Sequence, residues 1–245
     1  MEKAKYSIYD DGQLSVSISK GNQKMGNIPQ FNTLPGNVPL RKKDGTLLCN
    51  IHGTCSKYCK HCSEDCYAIR SAIYHGNSCI PAWGRNTIIL RNNPEKIRAA
   101  IKDYCNKNVV RYFRFHSSGE LESYMQLLMY VAICKDNPDV TFYLYTKAFD
   151  ILQTWFNDLE EGGGSIPENF VINLSEWHGN LDEIKNKKYF KDCNIFAYDD
   201  GDCSPSIESL PHCPAVNSKG FETGITCAQC RRCMKKGNIT AVYAH

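Results

Sequence analysis

A chain of 245 residues, 42% of them hydrophobic, is long enough to bury a sizeable core as one large or two small domains. Its net charge of +3 at pH 7 is too slight to argue for a nucleic-acid partner, since such domains concentrate Lys and Arg far more strongly. No apolar run approaches the roughly 20 residues that cross a bilayer, and the opening MEKAKYSIYDDG lacks the apolar segment of a secretory signal. A cytoplasmic protein with no membrane partner is expected. In a reducing compartment those of its 14 cysteines that cluster read as metal ligands or catalytic groups rather than disulfides.

Residues 6–18, YSIYDDGQLSVSI, are two alternating runs around Asp10-Asp11-Gly12, which predicts a β-hairpin. Residues 20–46 carry Gly21, Gly26, Pro29, Pro35, Gly36, Pro39 and Gly45 with little periodicity and read as a loop. Residues 1–48 therefore form an N-terminal hairpin and loop segment. From Asn93-Pro94, a cap and first-turn pair, Ile97, Ala100, Ile101, Tyr104 and Cys105 recur at helical spacing. Val109 to His116 reads as a strand, and Leu121, Tyr124, Met125, Leu128, Val131 and Ala132 as the next helical stripe. The unit repeats with strand 140–146, helix 148–159, a Gly162-Gly163-Gly164 loop, strand 169–174, a shorter helix near 181–189 and strand 194–198.

Strands alternating with helices imply right-handed βαβ units and a parallel sheet. With four or five such strands visible, the expectation is an α/β fold, a partial (open) parallel barrel over residues 49–200 rather than an eight-stranded closed one. Residues 201–245 return to loops and form a C-terminal cysteine-rich segment.

The cysteines fall into two groups. CSKYCKHCSEDC, residues 55–66, holds Cys55, Cys59, Cys62 and Cys66; the second group is Cys213-Pro214 followed by Cys227, Cys230 and Cys233. Gaps of two or three residues let a turn aim successive sulfurs at one centre, as zinc and iron–sulfur sites both require. Zinc usually takes two separated knuckles; three close cysteines plus a distant Cys-Pro fit cluster ligation better, with zinc as the alternative metal. His52, His61, His75 and His212 lie beside the cysteines and read as supporting or surface groups. Cys49, Cys79, Cys105, Cys134, Cys193 and Cys203 have no partner spacing, and Cys105 and Cys134 sit on apolar helical faces.

Cys55-x3-Cys59-x2-Cys62 resembles the motif of the radical S-adenosylmethionine (SAM) enzymes. In those enzymes three cysteines hold a [4Fe-4S] cluster and leave one iron open for SAM. Downstream, Ser118-Gly119-Glu120 after a strand resembles that superfamily's segment for the SAM amino group, and Lys147 and Ser175 fall at further strand ends. A wider resemblance, from about residue 15 to the end, is to the phage family called gene product eighty-eight. Its pattern is matched by Cys55, Cys62, Cys66-Tyr67-Ala68, Ser118-Gly119-Glu120, Tyr145-Thr146-Lys147, Cys213-Pro214, Cys227, Cys230 and Cys233. The two resemblances divide over Cys59 and Cys66, so the first ligand set stays open between either set of three and all four in a closed cluster with no iron left for SAM, with Cys55, Cys62 and Cys66 preferred.

The implied function is a radical SAM-like enzyme, with SAM contacts at Ser118, Gly119, Glu120, Lys147 and Ser175, one or two clusters, an electron donor and an unknown substrate. From position alone, Glu120 reads equally well as an acid in a helical first turn, and Asp199-Asp200 reads as a solvated turn. The alternative function is a metal-stapled protein that binds nucleic acid or protein, for which Arg41-Lys42-Lys43, Arg231-Arg232 and Lys235-Lys236 offer modest basic surface. Four crowded thiols do not suit a cysteine-nucleophile hydrolase, which needs one activated thiol and a histidine.

Overall fold

A computed structural model describes residues 2–62, 64–177, 179–184, 190–199 and 209–243. The protein is mixed α/β, and its main sheet is mostly parallel and has seven strands. The chain divides into two compact units, each assembled from separated segments. The first comprises Met1–Ser19, Gln30–Val109 and His116–Asn137; the second comprises Lys20–Pro29, Val110–Phe115 and Pro138–His245.

In the first unit, β1 (Ile18–Ser19) pairs antiparallel with β2 (Gln30–Phe31), and β3 (Pro39–Arg41) pairs antiparallel with β4 (Leu47–His52). Four helices follow: α1 (Tyr67–Tyr74), α2 (Gly76–Asn92), α3 (Pro94–Lys107) and α4 (Tyr124–Asp136). Ile8, Leu34, Leu40, Leu48, Cys49, Ala72 and Ile80 form one core cluster. Helix α3 follows its sequence signals: Pro94 opens it and Ile97 and Ile101 are buried. Helix α4 starts at Ser123, whose hydroxyl accepts a hydrogen bond from the Gln126 amide.

The expected hairpin over residues 6–18 does not form; the tight hairpin of this region is β3–β4. The reason is that the segment's backbone finds partners elsewhere. Asn50 accepts from the Ile8 amide at 2.9 Å and donates to the Ile8 carbonyl at 3.1 Å. Asn86 treats Ser17 in the same way, at 2.8 Å in each direction. Asp10-Asp11-Gly12 is still a turn, with Asp10 accepting from the Gly12 amide, but an Asx turn within an otherwise irregular stretch.

The second unit carries β5 (Tyr112–Phe115), β6 (Thr141–Thr146), β7 (Phe170–Glu176), β8 (Asn194–Asp199) and β9 (Ile239–Tyr243), parallel throughout in that order. Strand β9 corrects the reading of the tail as loops: Ile239–Tyr243 is rich in β-branched residues, Ile239, Thr240 and Val242, and it pairs beside β8. Helix α5 (Phe149–Glu161) sets Trp155 and Phe156 on one sheet face, with Trp155 at 6.3 Å from Phe170 and Phe156 at 4.8 Å from Phe190. On the opposite face Tyr143 and Val171 pack with Met25, Ile28 and Met234. Of the helix expected over 181–189, a 3-10 turn spans Asn180–Glu183, and residues 185–189 lie outside the described residues. No helix among the described residues is long and apolar enough to cross a membrane.

Candidate metal centres

The first cysteine group hangs from the end of β4. Gly53 has no room for a Cβ, which would strike the carbonyl oxygens of Pro35 and Gly36. That close approach lets the Thr54 amide reach the Leu34 carbonyl at 2.9 Å and the Cys55 amide reach the Gly36 carbonyl at 3.1 Å. The Gly36 amide in turn donates to the Cys55 sulfur at 3.3 Å. A 3-10 turn, Ser56–His61, then carries the chain to Cys62, and Cys66 stands at the N-terminus of α1.

Cys62 hydrogen-bonds Cys66 and is the main reason that the Cys66 thiol is held down at about 7. Burial opposes this, the amides at the start of α1 add to it, and the negative charge of Cys55 pushes the other way. Cys55, Cys62 and Cys66 are therefore near neighbours electrostatically. Cys59 is buried at 6% exposure within the turn.

Ser118, Gly119 and Glu120 follow β5 in the chain and belong to the same unit as this loop. Gly119 has φ +89°, and a Cβ there would run into the hydroxyls of Thr33 and Thr54. Ser118 donates to the Thr33 carbonyl at 2.8 Å, and the Glu120 amide donates to Thr54 Oγ1 at 3.0 Å. Tyr67, directly after Cys66, donates its hydroxyl to the Ser117 carbonyl. Both ends of the cysteine loop, Thr54 and Tyr67, are thus bonded to the segment that carries Glu120. Glu120 itself is 3% exposed and precedes the N-cap of α4, so it is not an acid in a helical first turn.

Sequence reasoning missed the buried side chains around this segment. His116 adopts φ +57°; its Nδ1 lies 3.3 Å from Thr33 Oγ1, and its Nε2 lies 2.7 Å from the Tyr130 hydroxyl and 2.9 Å from Gln126 Nε2. Asn32 Oδ1 accepts from the Ser117 amide at 2.8 Å. Polar residues in a strand end carry no spacing signal, and only the fold assembles them.

The second group lies wholly in the second unit. Cys213 donates its amide to the Ala241 carbonyl of β9 at 2.7 Å. Cys227 to Cys230 is a single helical turn with a capping box: the Gln229 amide donates to Thr226 Oγ1, and the Thr226 amide donates to Gln229 Oε1. Arg231, at φ +58°, ends that turn and redirects the chain to Cys233. Burial is the largest cause that pushes Cys233 up to about 12, and the charges of Cys213, Cys227 and Cys230 all add to it. Cys213 and Cys227 are raised by burial too, with Lys24 lowering both, Arg114 lowering Cys227 and Arg232 lowering Cys213. Four sulfurs that feel one another in this way suit a cation or cluster, which would offset their mutual repulsion.

Of the other sequence-predicted residues, Lys147 sits after β6 with its Nζ 5.8 Å from the Trp177 ring, and Ser175 is buried in β7. Both belong to the second unit. His52 Nδ1 lies 3.2 Å from the Asn37 carbonyl oxygen, and His75 packs edge-on to Tyr74. His212 pairs with Asp199 at 2.8 Å and stacks on Tyr243, so Asp199 is a buried partner and not a solvated turn. The His61 side chain, Asp200 and Cys203 lie outside the described residues. Cys134 is buried and Cys105 half-buried, with burial pushing the Cys105 thiol up to about 11. Among the described residues no group of three or more His, Cys, Asp or Glu side chains is gathered so as to hold a single metal ion. In a cluster, by contrast, each thiolate takes a different iron.

Fold and sites together define a mixed α/β protein with a mostly parallel sheet and one cysteine group in each compact unit. The chain belongs to the family described as Gene product 88, which it matches over residues 16–236. No curated protein and no solved structure matches it.

Proposed function

We propose that the protein is an iron–sulfur protein that acts as a radical SAM-like enzyme on an unknown substrate, its parallel strands forming a partial barrel. The observation that carries this reading is the bond from the Glu120 amide to Thr54 Oγ1, which ties the acid's backbone to the residue before Cys55. Cys55, Cys62 and Cys66 would hold the first cluster, and the donor set fits: three thiols in electrostatic contact, one of them already accepting a backbone N–H. When bound, an open-site cluster would supply the electron that cleaves SAM to a 5′-deoxyadenosyl radical.

The chain's own residues have the simpler tasks. Gly119 permits the close approach of Thr33 and Thr54; Thr54 fixes the Glu120 backbone; and the Glu120 carboxylate would take the SAM amino group by charge-assisted hydrogen bonding. Cys213, Cys227, Cys230 and Cys233 would hold an auxiliary cluster, and a one-electron donor is the required partner.

The test is anaerobic purification with iron, sulfide and zinc analysis, followed by EPR of the reduced protein with and without SAM. About eight irons and one cluster signal that changes with SAM are expected, as two four-iron clusters would give. Glu120→Gln should retain its iron and lose most SAM affinity. Zinc in place of iron, or signals blind to SAM, would replace this reading with a metal-stapled binding protein.

A further inference from the structure

Gly119 is flanked by two peptides, and one buried side chain reaches both. The His116 amide donates to the Phe31 carbonyl at 2.9 Å, and the Phe31 ring meets the imidazole edge-on at 6.4 Å. Nδ1 of that imidazole lies 3.3 Å from the Ser118 carbonyl oxygen, which belongs to the peptide before Gly119. It also lies 3.3 Å from Thr33 Oγ1, which is 2.8 Å from Thr54 Oγ1. Thr54 Oγ1 in turn accepts at 3.0 Å from the Glu120 amide, which belongs to the peptide after Gly119. His116, Thr33 and Thr54 are each 3% exposed or less, so water does not stand in for these partners.

The direction of the bonds is set from helix α4. The Glu122 amide donates to Gln126 Oε1 at 2.8 Å, and a backbone N–H is a donor only. The Gln126 side chain is therefore oriented with its NH2 group towards the histidine, donating to the Tyr130 oxygen at 2.9 Å and lying 2.9 Å from His116 Nε2. A proton on Nε2 would set one N–H against another there. Nε2 accepts instead, with the Tyr130 hydroxyl 2.7 Å from the same nitrogen, and the ring proton falls to Nδ1, facing Ser118 and Thr33.

We propose that His116 is a positioning residue for Glu120: held by Gln126 with its proton on Nδ1, it donates to the Ser118 carbonyl and to Thr33, and so fixes the peptide on either side of Gly119. Those two peptides set the direction in which the Glu120 carboxylate leaves the chain. The inference rests on the SAM reading above, in which that carboxylate takes the SAM amino group. An imidazole that only filled space would serve with the proton on either nitrogen. His116 adopts φ +57°, a conformation that asparagine and aspartate tolerate better than most residues. Two probes of one size follow. His116→Asn keeps an N–H near the Nδ1 position, whereas His116→Asp puts an acceptor there, against the Ser118 carbonyl.

The experiment has two arms, both on the full-length, iron-loaded protein. In the first, the histidines are labelled with ¹⁵N and observed by long-range ¹H–¹⁵N correlation, and His116→Asn identifies the His116 signals by their loss. A protonated Nδ1 and an unprotonated Nε2 are expected; a proton on Nε2 would overturn the proposal. In the second, SAM affinity is measured by equilibrium dialysis, with iron and sulfide counted in each protein. His116→Asp should keep its iron and lose about tenfold in SAM affinity, as one unsatisfied buried group would cost, while His116→Asn stays within about threefold of wild type. Equal affinities in the two variants, with full iron, would overturn the proposal and leave the SAM reading intact. Wild-type protein that holds iron and does not bind SAM would instead remove that reading, and the role given to His116 with it. If His116→Asp loses its iron, Thr33→Val, which removes the relaying hydroxyl without changing the shape of the side chain, should weaken SAM binding to the same extent; unchanged affinity would again overturn the proposal.

Discussion

Gly119 is held at φ +89° with threonine hydroxyls where a side chain would begin, so the peptide before Glu120 can be built only from glycine. Gly119→Ala should cost about 3 kcal/mol or more, the sum of a left-handed alanine and an overpacked contact, read as a fall in urea midpoint. A change below about 0.5 kcal/mol would mean that the segment is not fixed by this approach. Cys66 gives a pH prediction. Its thiol is held near 7 against an ordinary 9.0, so in metal-free protein the thiolate forms as pH rises through about 7, and alkylation of Cys66 should rise over that range and level off above it. Cys105, near 11, and Cys193, near 12, should stay protonated and unreactive at pH 8. Mass mapping of alkylated peptides against pH checks both; a Cys66 midpoint near 9 would show that Cys62 is not its partner. The cysteine types and spacings were legible in the sequence. The supporting Thr33, Thr54 and His116 were not, because each is polar for a reason supplied by a residue far along the chain.

At the scale of elements, the N-terminal segment is fastened by side chains instead of a partner strand. Asn86 of α2 bonds both backbone groups of Ser17 and the Asn32 carbonyl. Asn86→Ala would strand several buried polar groups, so a loss of about 2–4 kcal/mol is expected in urea denaturation with an unchanged slope. A loss below about 0.5 kcal/mol would show that water replaces the asparagine. Strands β5 to β8 and helices α3 and α5 were legible because each buries a consistent stripe or a continuous apolar run; α4 was legible in place but not in face, since Gln126, Leu127, Met129, Tyr130, Ile133 and Cys134 are buried while Met125 of the expected stripe is 70% exposed. Helix α2 was not: it contains Gly76, Pro81 and Gly84, and its buried residues include Asn86 and Thr87 as well as Ile80 and Ile89. The hairpin expected over 6–18 failed for the complementary reason. Alternation and an Asp-Gly turn are local signals, and the asparagines that compete for this backbone are at positions 50 and 86.

For the molecule as a whole, each compact unit owns one complete cysteine group: Cys55, Cys59, Cys62 and Cys66 in the first, and Cys213, Cys227, Cys230 and Cys233 in the second. On the proposed function, Cys62→Ser and Cys230→Ser should each remove about half of the iron, and the double variant nearly all of it, as independent sites require. Iron analysis of the three variants checks this. Complete loss from either single variant would mean that the groups are not separate centres.

The sequence by itself determined the α/β class, four of the five parallel strands, the two cysteine groups and, through the order of its motifs, the family. These depend on residues near one another in the chain, whose periodicity and spacing are visible without a fold. Only the tertiary structure decided that β9 closes the run of parallel strands and that Glu120 precedes its helix with its backbone bonded to the cysteine loop. Each of these joins positions separated by tens of residues. Burial makes such hydrogen bonds obligatory once the chain is folded, while no local pattern encodes them beforehand.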